Sequence, residues 1–382
     1  MNKELIRPLT ALRFYAAFVV FSLHAHMLPG LGWLGHPHAE LQGRLGVSVF
    51  FVLSGFIMTY VYYGEDKWEP TRANAGRFLI ARVARIFPLH LLTMLVCIPL
   101  GLKSNTSPVE WEYLPIHIGL LQEWSPIGYP GPGPNKVSWT LSVEMLFYVL
   151  TPLLFAVMLR AGKRKVLFLA SLFIALAALT IAFFTVHNDP DAFIKVERAP
   201  FRVTDYLLGI MAFLFFQQVK SYTEWWKRAM LPAGILWFCG MMAWQYYYDQ
   251  QSGNNLWMLP GSVMVVLGTA FRRDTKNWFL ASDRMVFLGE ASFTFYMVHE
   301  LLLRYGRQAL LRIGQAFGRD LEHIHEQMHW SLCILWFLVV FSVLQLVAIF
   351  VHRKFEAPMN TKGRKWLTTV FGLEKKKAPV AA

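Results

Sequence analysis

Apolar residues fall along this chain in long blocks, broken by short polar segments rich in Lys and Arg. A helix that crosses a membrane needs about 20 apolar residues. Ten blocks approach that length, at 9–28, 45–63, 86–102, 138–158, 166–186, 201–217, 230–248, 256–271, 286–304 and 330–351. The third is short and starts near Pro88, and the sixth and eighth are also short. Residues 114–122 are apolar but too few to span, which predicts an interfacial or re-entrant segment. The pattern predicts an all-α polytopic membrane protein, a bundle of about ten transmembrane helices.

Most of the 37 Lys and Arg lie in alternate polar segments: the N-terminus, 64–85, 159–165, 218–229, 272–285 and the tail. Cytoplasmic loops carry such an excess. Both termini are therefore expected in the cytoplasm, with the bundle in a bacterial-type cytoplasmic (inner) membrane. Two regions follow, a transmembrane domain over 1–358 and a basic cytoplasmic tail over 359–382. The first block lacks a small-residue cleavage site, so no cleavable signal peptide is expected. The Pro/Gly run 129–134 cannot be regular helix. The polar segment 305–329 carries His323, His325 and His329, whose spacing suits a hydrated loop better than a metal site. The chain shows no internal repeat of the kind many transporters carry.

Composition narrows the class further. The chain has 382 residues, 55% hydrophobic and only 16% charged, against about 25% charged in soluble domains. A net charge of +13 invites a nucleic-acid reading. The basic residues sit between apolar blocks, where topology determinants belong, and that reading is set aside. Cys97, Cys239 and Cys333 all lie in apolar runs and are expected to be buried thiols, with no metal site and no disulfide framework.

Against this apolar background the ionisable residues stand out, because charge inside a membrane is costly and marks function by default. Arg13 and His24 share the first block. Eleven residues make about three helical turns, so both side chains lie on one face, about 16 Å apart. Arg13 is expected near one membrane surface and His24 near mid-depth. A cation at the rim suits an anionic ligand, and an imidazole deeper in exchanges protons at neutral pH. In the second block, Gly46 and Gly55 flank Ser48 and Ser54. Small residues there predict close helix packing, with Ser54 also placed to line a site. Arg82 and Arg85 are one turn apart. They read either as a positive-inside anchor or as a clamp for phosphate, which guanidinium forks suit. Glu144 lies two turns inside the fourth block and needs a partner. The ninth block carries Glu290, His299 and Glu300, with one of the last two expected to face the cavity. Arg202 and Asp205 form a candidate i,i+3 pair.

Taken together, the motifs resemble those of the acyltransferase-3 family of integral-membrane acyltransferases. They are Arg13 and His24, the glycine- and phenylalanine-rich stretch 46–56, Arg82/Arg85/Pro88, the stretch 139–148 from Trp139 through Glu144 to Tyr148, the stretch 288–299, and Phe355-Glu356-Ala357-Pro358. The resemblance implies transfer of an acyl group, usually acetyl, from cytoplasmic acyl-coenzyme A to a hydroxyl of a cell-envelope or secreted glycan, or of a glycan-lipid. It implies that Arg13, Arg82 and Arg85 engage the coenzyme A phosphates and that His24 is the base. Glu144, His299 and Glu300 are the other candidate catalytic groups, with Glu144 or Glu300 expected to hold the His24 imidazole. Ser54 and Trp139 are candidate substrate-binding residues. No metal is required. The chain departs from the family pattern at Thr10-Ala11, at Met145 and in a second histidine, His26. An acyl-His24 intermediate stays open, as does the oxyanion donor. Two other classes fit the intramembrane charges, a transporter or flippase for a glycan-lipid and a non-catalytic scaffold. Trp111, Tyr113, Trp124 and Tyr129 read either as sugar-stacking groups or as interfacial anchors.

Overall fold

The computed structural model of the protein describes residues 3–34, 39–63, 68–102, 110–124, 131, 133–186, 198–219, 225–248, 255–272, 279, 282–322 and 324–374. Every regular element among them is helical. In chain order they are α1 Lys3–His24, α2 Ala39–Met58, α3 Arg72–Leu102, the short α4 Leu114–Ile118, α5 Trp139–Ala161, α6 Lys165–Val186, α7 Ala199–Val219, α8 Trp225–Tyr248, α9 Leu259–Phe271, α10 Asp283–Ala316, α11 Trp330–Val351 and α12 Ala357–Val370. Each of the ten apolar blocks coincides with one of these helices. Among the described residues, seven stretches are long and apolar enough to cross a membrane, and one of them, Lys136–Phe183, takes in α5 and most of α6. α8 falls outside these seven, and α9 is apolar but shorter.

Helix boundaries differ from expectation in three places. α3 begins at Arg72 and runs 31 residues through Pro88 and Pro99, so Arg82 and Arg85 lie inside a helix rather than at the mouth of a short span. The prolines suggested a start because each removes a helical hydrogen bond. Neighbouring helices compensate for that loss inside a bundle. α10 runs on to Ala316, turning part of the expected polar loop into helix. Residues 359–370, assigned to a tail, belong to α12, which packs along α3. His329 caps α11, its side chain accepting from the Ser331 amide, and His323 lies outside the described residues. Residues 129, 130 and 132 of the run 129–134, Tyr129 among them, also lie outside them.

α1 also begins earlier than its apolar block, at Lys3. Its apolar span is Arg7–Met27. Arg13 therefore stands about 9 Å inside that span and His24 about 4.5 Å from its far end.

The core forms around α1, which packs on α10 and α2, while α2 packs in turn on α7. Two glycines permit the α1 contacts. A Cβ on Gly46 would stand 2.6 Å from the Ala16 carbonyl oxygen, and one on Gly289 would collide with the Thr10 carbonyl. Close backbone approach of this kind drives helix association in membranes. Gly289→Ala is therefore expected to cost about 1–3 kcal/mol through overpacking, seen as a lower unfolding temperature in detergent. An unchanged melting curve would show that α1 and α10 can separate freely.

A buried polar staple joins α2, α7 and α9. Arg202 pairs with Asp205 at 3.3 Å, as the spacing predicted, and Ser48 donates to the same carboxylate at 2.8 Å. Ser262 donates to Ser48 at 3.1 Å. The segment after α4 packs into the bundle. Leu120, at φ 56°, is fully buried, and Trp124 Nε1 donates to the Ser142 carbonyl at 2.9 Å. Cys97 and Cys333 are buried, but Cys239 is exposed on the flank of α8, because its apolar run faces outward there. Two π-helical turns, Thr59–Tyr63 after α2 and His352–Glu356 before α12, interrupt the regular winding. Such turns recur at functional sites.

Candidate active site

Both π turns border the same cavity, of 490 Å³, at the end of the bundle that carries the N-terminus. Arg13 of α1, Arg82 and Arg85 of α3, and Glu144 of α5 line its wall. Ser54 and the turn residue Tyr62 close one side, and Glu356 and Asn360 the other. The sequence therefore brought five of its candidates, Arg13, Ser54, Arg82, Arg85 and Glu144, to one place.

The three arginines are held in different ways. Arg82 donates to the Tyr62 hydroxyl at 2.9 Å. Its guanidinium lies 5.6 Å from the Tyr62 ring, 5.8 Å from Phe78 and 5.7 Å from Tyr148. An aromatic enclosure of this kind stabilises a cation and fixes its direction. Arg13 and Arg85 form no ion pair or hydrogen bond among the described residues. The nearby carboxylates are only partly committed. Glu144 accepts from the Tyr148 hydroxyl at 3.2 Å, while Glu356 is engaged by His352 at 2.7 Å and by Thr294. Two guanidiniums thus face open space and can present paired donors to an oxyanion.

A smaller pocket of 40 Å³ shares Arg13, Phe50 and Glu144 with the cavity and continues to Thr140, Ser292 and Tyr296. Thr140 Oγ1 and Tyr296 Oη stand 3.0 Å apart, and the Tyr296 hydroxyl lies 3.3 Å from the Val137 carbonyl. One turn further along α10 is His299. This fully buried ring meets His24.

The contacts of the two histidines fix their protons. Carbonyl oxygens can only accept. His299 Nδ1, 2.6 Å from the Tyr296 carbonyl, must therefore carry hydrogen, which leaves Nε2 as an acceptor. That nitrogen is 3.1 Å from His24 Nδ1, which is also 3.1 Å from the Val20 carbonyl. His24 Nδ1 then donates to both, and its Nε2 keeps a free lone pair. The tautomers follow from the partners. The His24 ring is thus oriented by a histidine, where a carboxylate was expected. Glu300 instead lies 3.7 Å from Arg304 at i,i+4. Trp139 packs edge-on against Phe51 at 6.3 Å, outside both pockets. His26 is exposed and turned back on the Leu23 carbonyl at 2.5 Å.

Sequence reasoning missed Tyr62, Tyr148 and Glu356. Tyr148 sits four residues after Glu144, a spacing that places both on one helical face. Glu356 stood in a quoted motif without a role. For Tyr62 the sequence carries no signal, since it points inward only because of the π turn. Among the described residues, no group of three or more His, Cys, Asp or Glu is placed to hold a metal ion.

Comparison with known proteins agrees with the motifs. The chain is 28% identical over 325 residues to the acyltransferase MdmB of Streptomyces mycarofaciens, covering 79% of this chain and 80% of that protein. It is 26% identical over 265 residues to nodulation protein 10 of Rhizobium leguminosarum bv. viciae, covering 61% and 67%. It is 22% identical over 322 residues to the O-acetyltransferase OatA of Staphylococcus aureus, covering 76% of this chain and 49% of that longer protein. No solved structure matches the chain. The acyltransferase-3 family, described as an acyltransferase domain, matches residues 7–353, nearly the whole of this bundle, and the chain belongs to that family of acyltransferases.

Proposed function

We propose that the protein moves an acyl group, acetyl by preference, from cytoplasmic acyl-coenzyme A to a hydroxyl of a cell-envelope or secreted glycan. The observation that carries this reading is the separation of two sites along α1. An arginine-lined cavity lies at the N-terminal end, and a base with a free lone pair lies near the other. The name O-acetyltransferase on one relative supports acetyl and a hydroxyl acceptor. The basic residues at the cavity end, Arg72, Arg77, Arg160 and Lys165 among them, support a cytoplasmic N-terminus and C-terminus in a bacterial inner membrane.

In this reading Arg13, Arg82 and Arg85 hold the coenzyme A phosphates, and the thioester arm passes Tyr296 toward His24. His24 Nε2 removes the acceptor proton as the hydroxyl oxygen attacks the thioester carbonyl. The carbon–sulfur bond breaks, and the thiolate takes the proton back from the imidazolium. His299 holds the His24 tautomer, a positioning role. Glu144 balances the arginines. Glu300 pairs with Arg304, Ser54 lines the substrate path, and Trp139 backs its wall through Phe51. Membranes containing the protein should transfer radiolabel from acetyl-coenzyme A into glycan, with free thiol released in equal amount. Thiol release without labelled glycan would sink the glycan acceptor.

His299→Ala tests the positioning role. The Val20 carbonyl still accepts from His24 Nδ1, so the loss should be partial. Removing a hydrogen bond to a group that becomes charged costs about 1.5–3 kcal/mol, or about 10–150-fold in kcat. KM for the donor should stay the same. A change in KM alone would assign His299 to donor binding instead.

A further inference from the structure

One wall of the arginine-lined cavity comes from a segment that the sequence placed in a tail. Ala357, Asn360 and Thr361 of α12 line it, at the i, i+3 and i+4 spacing of a single helical face. α12 is held along the first half of α3. Gly363 lies against Ala84, where an added Cβ would stand 3.7 Å from the Ala84 Cβ, and Leu373 lies against Gly76. Arg77 Nε donates to the Leu373 carbonyl at 2.8 Å. The two helices therefore run antiparallel, and α12 climbs from the cavity past its mouth toward the start of α3.

Arg364 is the next residue on that face, four positions after Asn360 and three after Thr361. It stands about 4.5 Å along the helix beyond the last lining residue, and it is exposed. Its backbone carbonyl accepts from Thr368 Oγ1 at 2.6 Å, but its guanidinium has no ion pair or hydrogen bond among the described residues. Thr361 is committed to its own helix, donating to the Ala357 carbonyl at 3.0 Å. A free guanidinium fork, one turn outside the cavity that holds Arg82 and Arg85, suits a second phosphate on the same ligand. In coenzyme A the diphosphate and the 3′-phosphate flank one ribose. A donor whose diphosphate reaches Arg82 and Arg85 therefore carries its 3′-phosphate nearer the mouth.

We infer that α12 is part of the donor site and that Arg364 binds the 3′-phosphate at the nucleotide end of the donor, as a specificity-determining residue. The inference rests on the acyl-transfer reading above. It deepens that reading by naming the group that selects coenzyme A over donors without this phosphate.

The test is calorimetry on the full chain in detergent, with acetyl-coenzyme A and acetyl-3′-dephospho-coenzyme A, for the unaltered protein, Arg364→Ala and Lys362→Ala. An exposed ion pair of good geometry is worth up to about 1 kcal/mol, or about fivefold in Kd. The unaltered protein should therefore bind the phosphorylated donor about fivefold more tightly. Arg364→Ala should lose that preference by weakening acetyl-coenzyme A binding alone. Its binding of the dephospho donor should be unchanged, which also shows that the variant folds. Lys362 carries the same charge but lies about 200° away around α12, so Lys362→Ala should keep the preference. No preference in the unaltered protein, or an undiminished one in Arg364→Ala, would overturn the inference while leaving the donor reading in place. Equal loss in Lys362→Ala would also overturn it, reducing the effect to the general positive field of this segment. Folded, unaltered protein that binds neither donor would take the acyl-transfer reading down as well.

Discussion

His24→Ala should lower acyl transfer by about 10²–10⁴-fold, the usual contribution of a general base, and leave acetyl-coenzyme A binding intact. The expectation follows from the hydrogen-bond chain. The Tyr296 carbonyl fixes the His299 proton, His299 Nε2 accepts from His24 Nδ1, and the one unassigned lone pair in the chain is on His24 Nε2. Alanine removes that lone pair and nothing on the donor side, where Arg13 stands about 16 Å away. The ring is half-buried at the end of α1, so its loss should leave the core packing largely in place. His26→Ala is the matched control for transfer to a water-soluble glycan. That ring is exposed and lies on the other side of the helix end. Calorimetry with acetyl-coenzyme A and a transfer assay on the same preparations separate the two effects. Normal transfer by His24→Ala would remove the proposed mechanism.

The donor cavity should show the second large effect. Arg82→Ala/Arg85→Ala is expected to abolish measurable acetyl-coenzyme A binding, and Arg13→Ala to weaken it strongly. Truncating one partner of a desolvated charge pair costs about 2–5 kcal/mol, or about 30- to 4,000-fold in Kd. Lysine should rescue Arg85 better than Arg82. Arg82 is sandwiched by Tyr62, Phe78 and Tyr148 and donates to Tyr62, and a compact ammonium cannot reproduce a flat, forked cation in that enclosure. Because the Arg82 side chain also supports those rings, unfolding temperatures must accompany the affinities. Undiminished binding by the double variant, in folded protein, would place the donor elsewhere.

Much of this arrangement was legible in the residues. The apolar blocks located the helices because a membrane demands long uninterrupted runs. The i,i+11 spacing put Arg13 and His24 on one face, and the i,i+3 spacing of Arg202 and Asp205 gave their ion pair. What the sequence could not reveal depends on contacts between distant segments. His24 and His299 are 275 positions apart. Nothing in either motif said that a histidine, rather than Glu144 or Glu300, would orient the imidazole. The start of α1 was placed late because its first turn is polar. α3 was cut short for a related reason: its first turns are polar, and Pro88 resembled a beginning.

The two π turns beside the cavity have a further consequence for how this family can vary. Each holds one residue more than a regular helix would need over the same rise. Deleting a single residue from Thr59–Tyr63 or His352–Glu356 would relax that turn to ordinary α winding, moving the side chains of the turn while the helix after it stays in register. Tyr62 would leave Arg82, or Glu356 would leave Thr294, while the helices on either side kept their own packing. A one-residue gap at either position in a related chain is therefore expected to reshape the arginine-lined cavity without moving the helices around it.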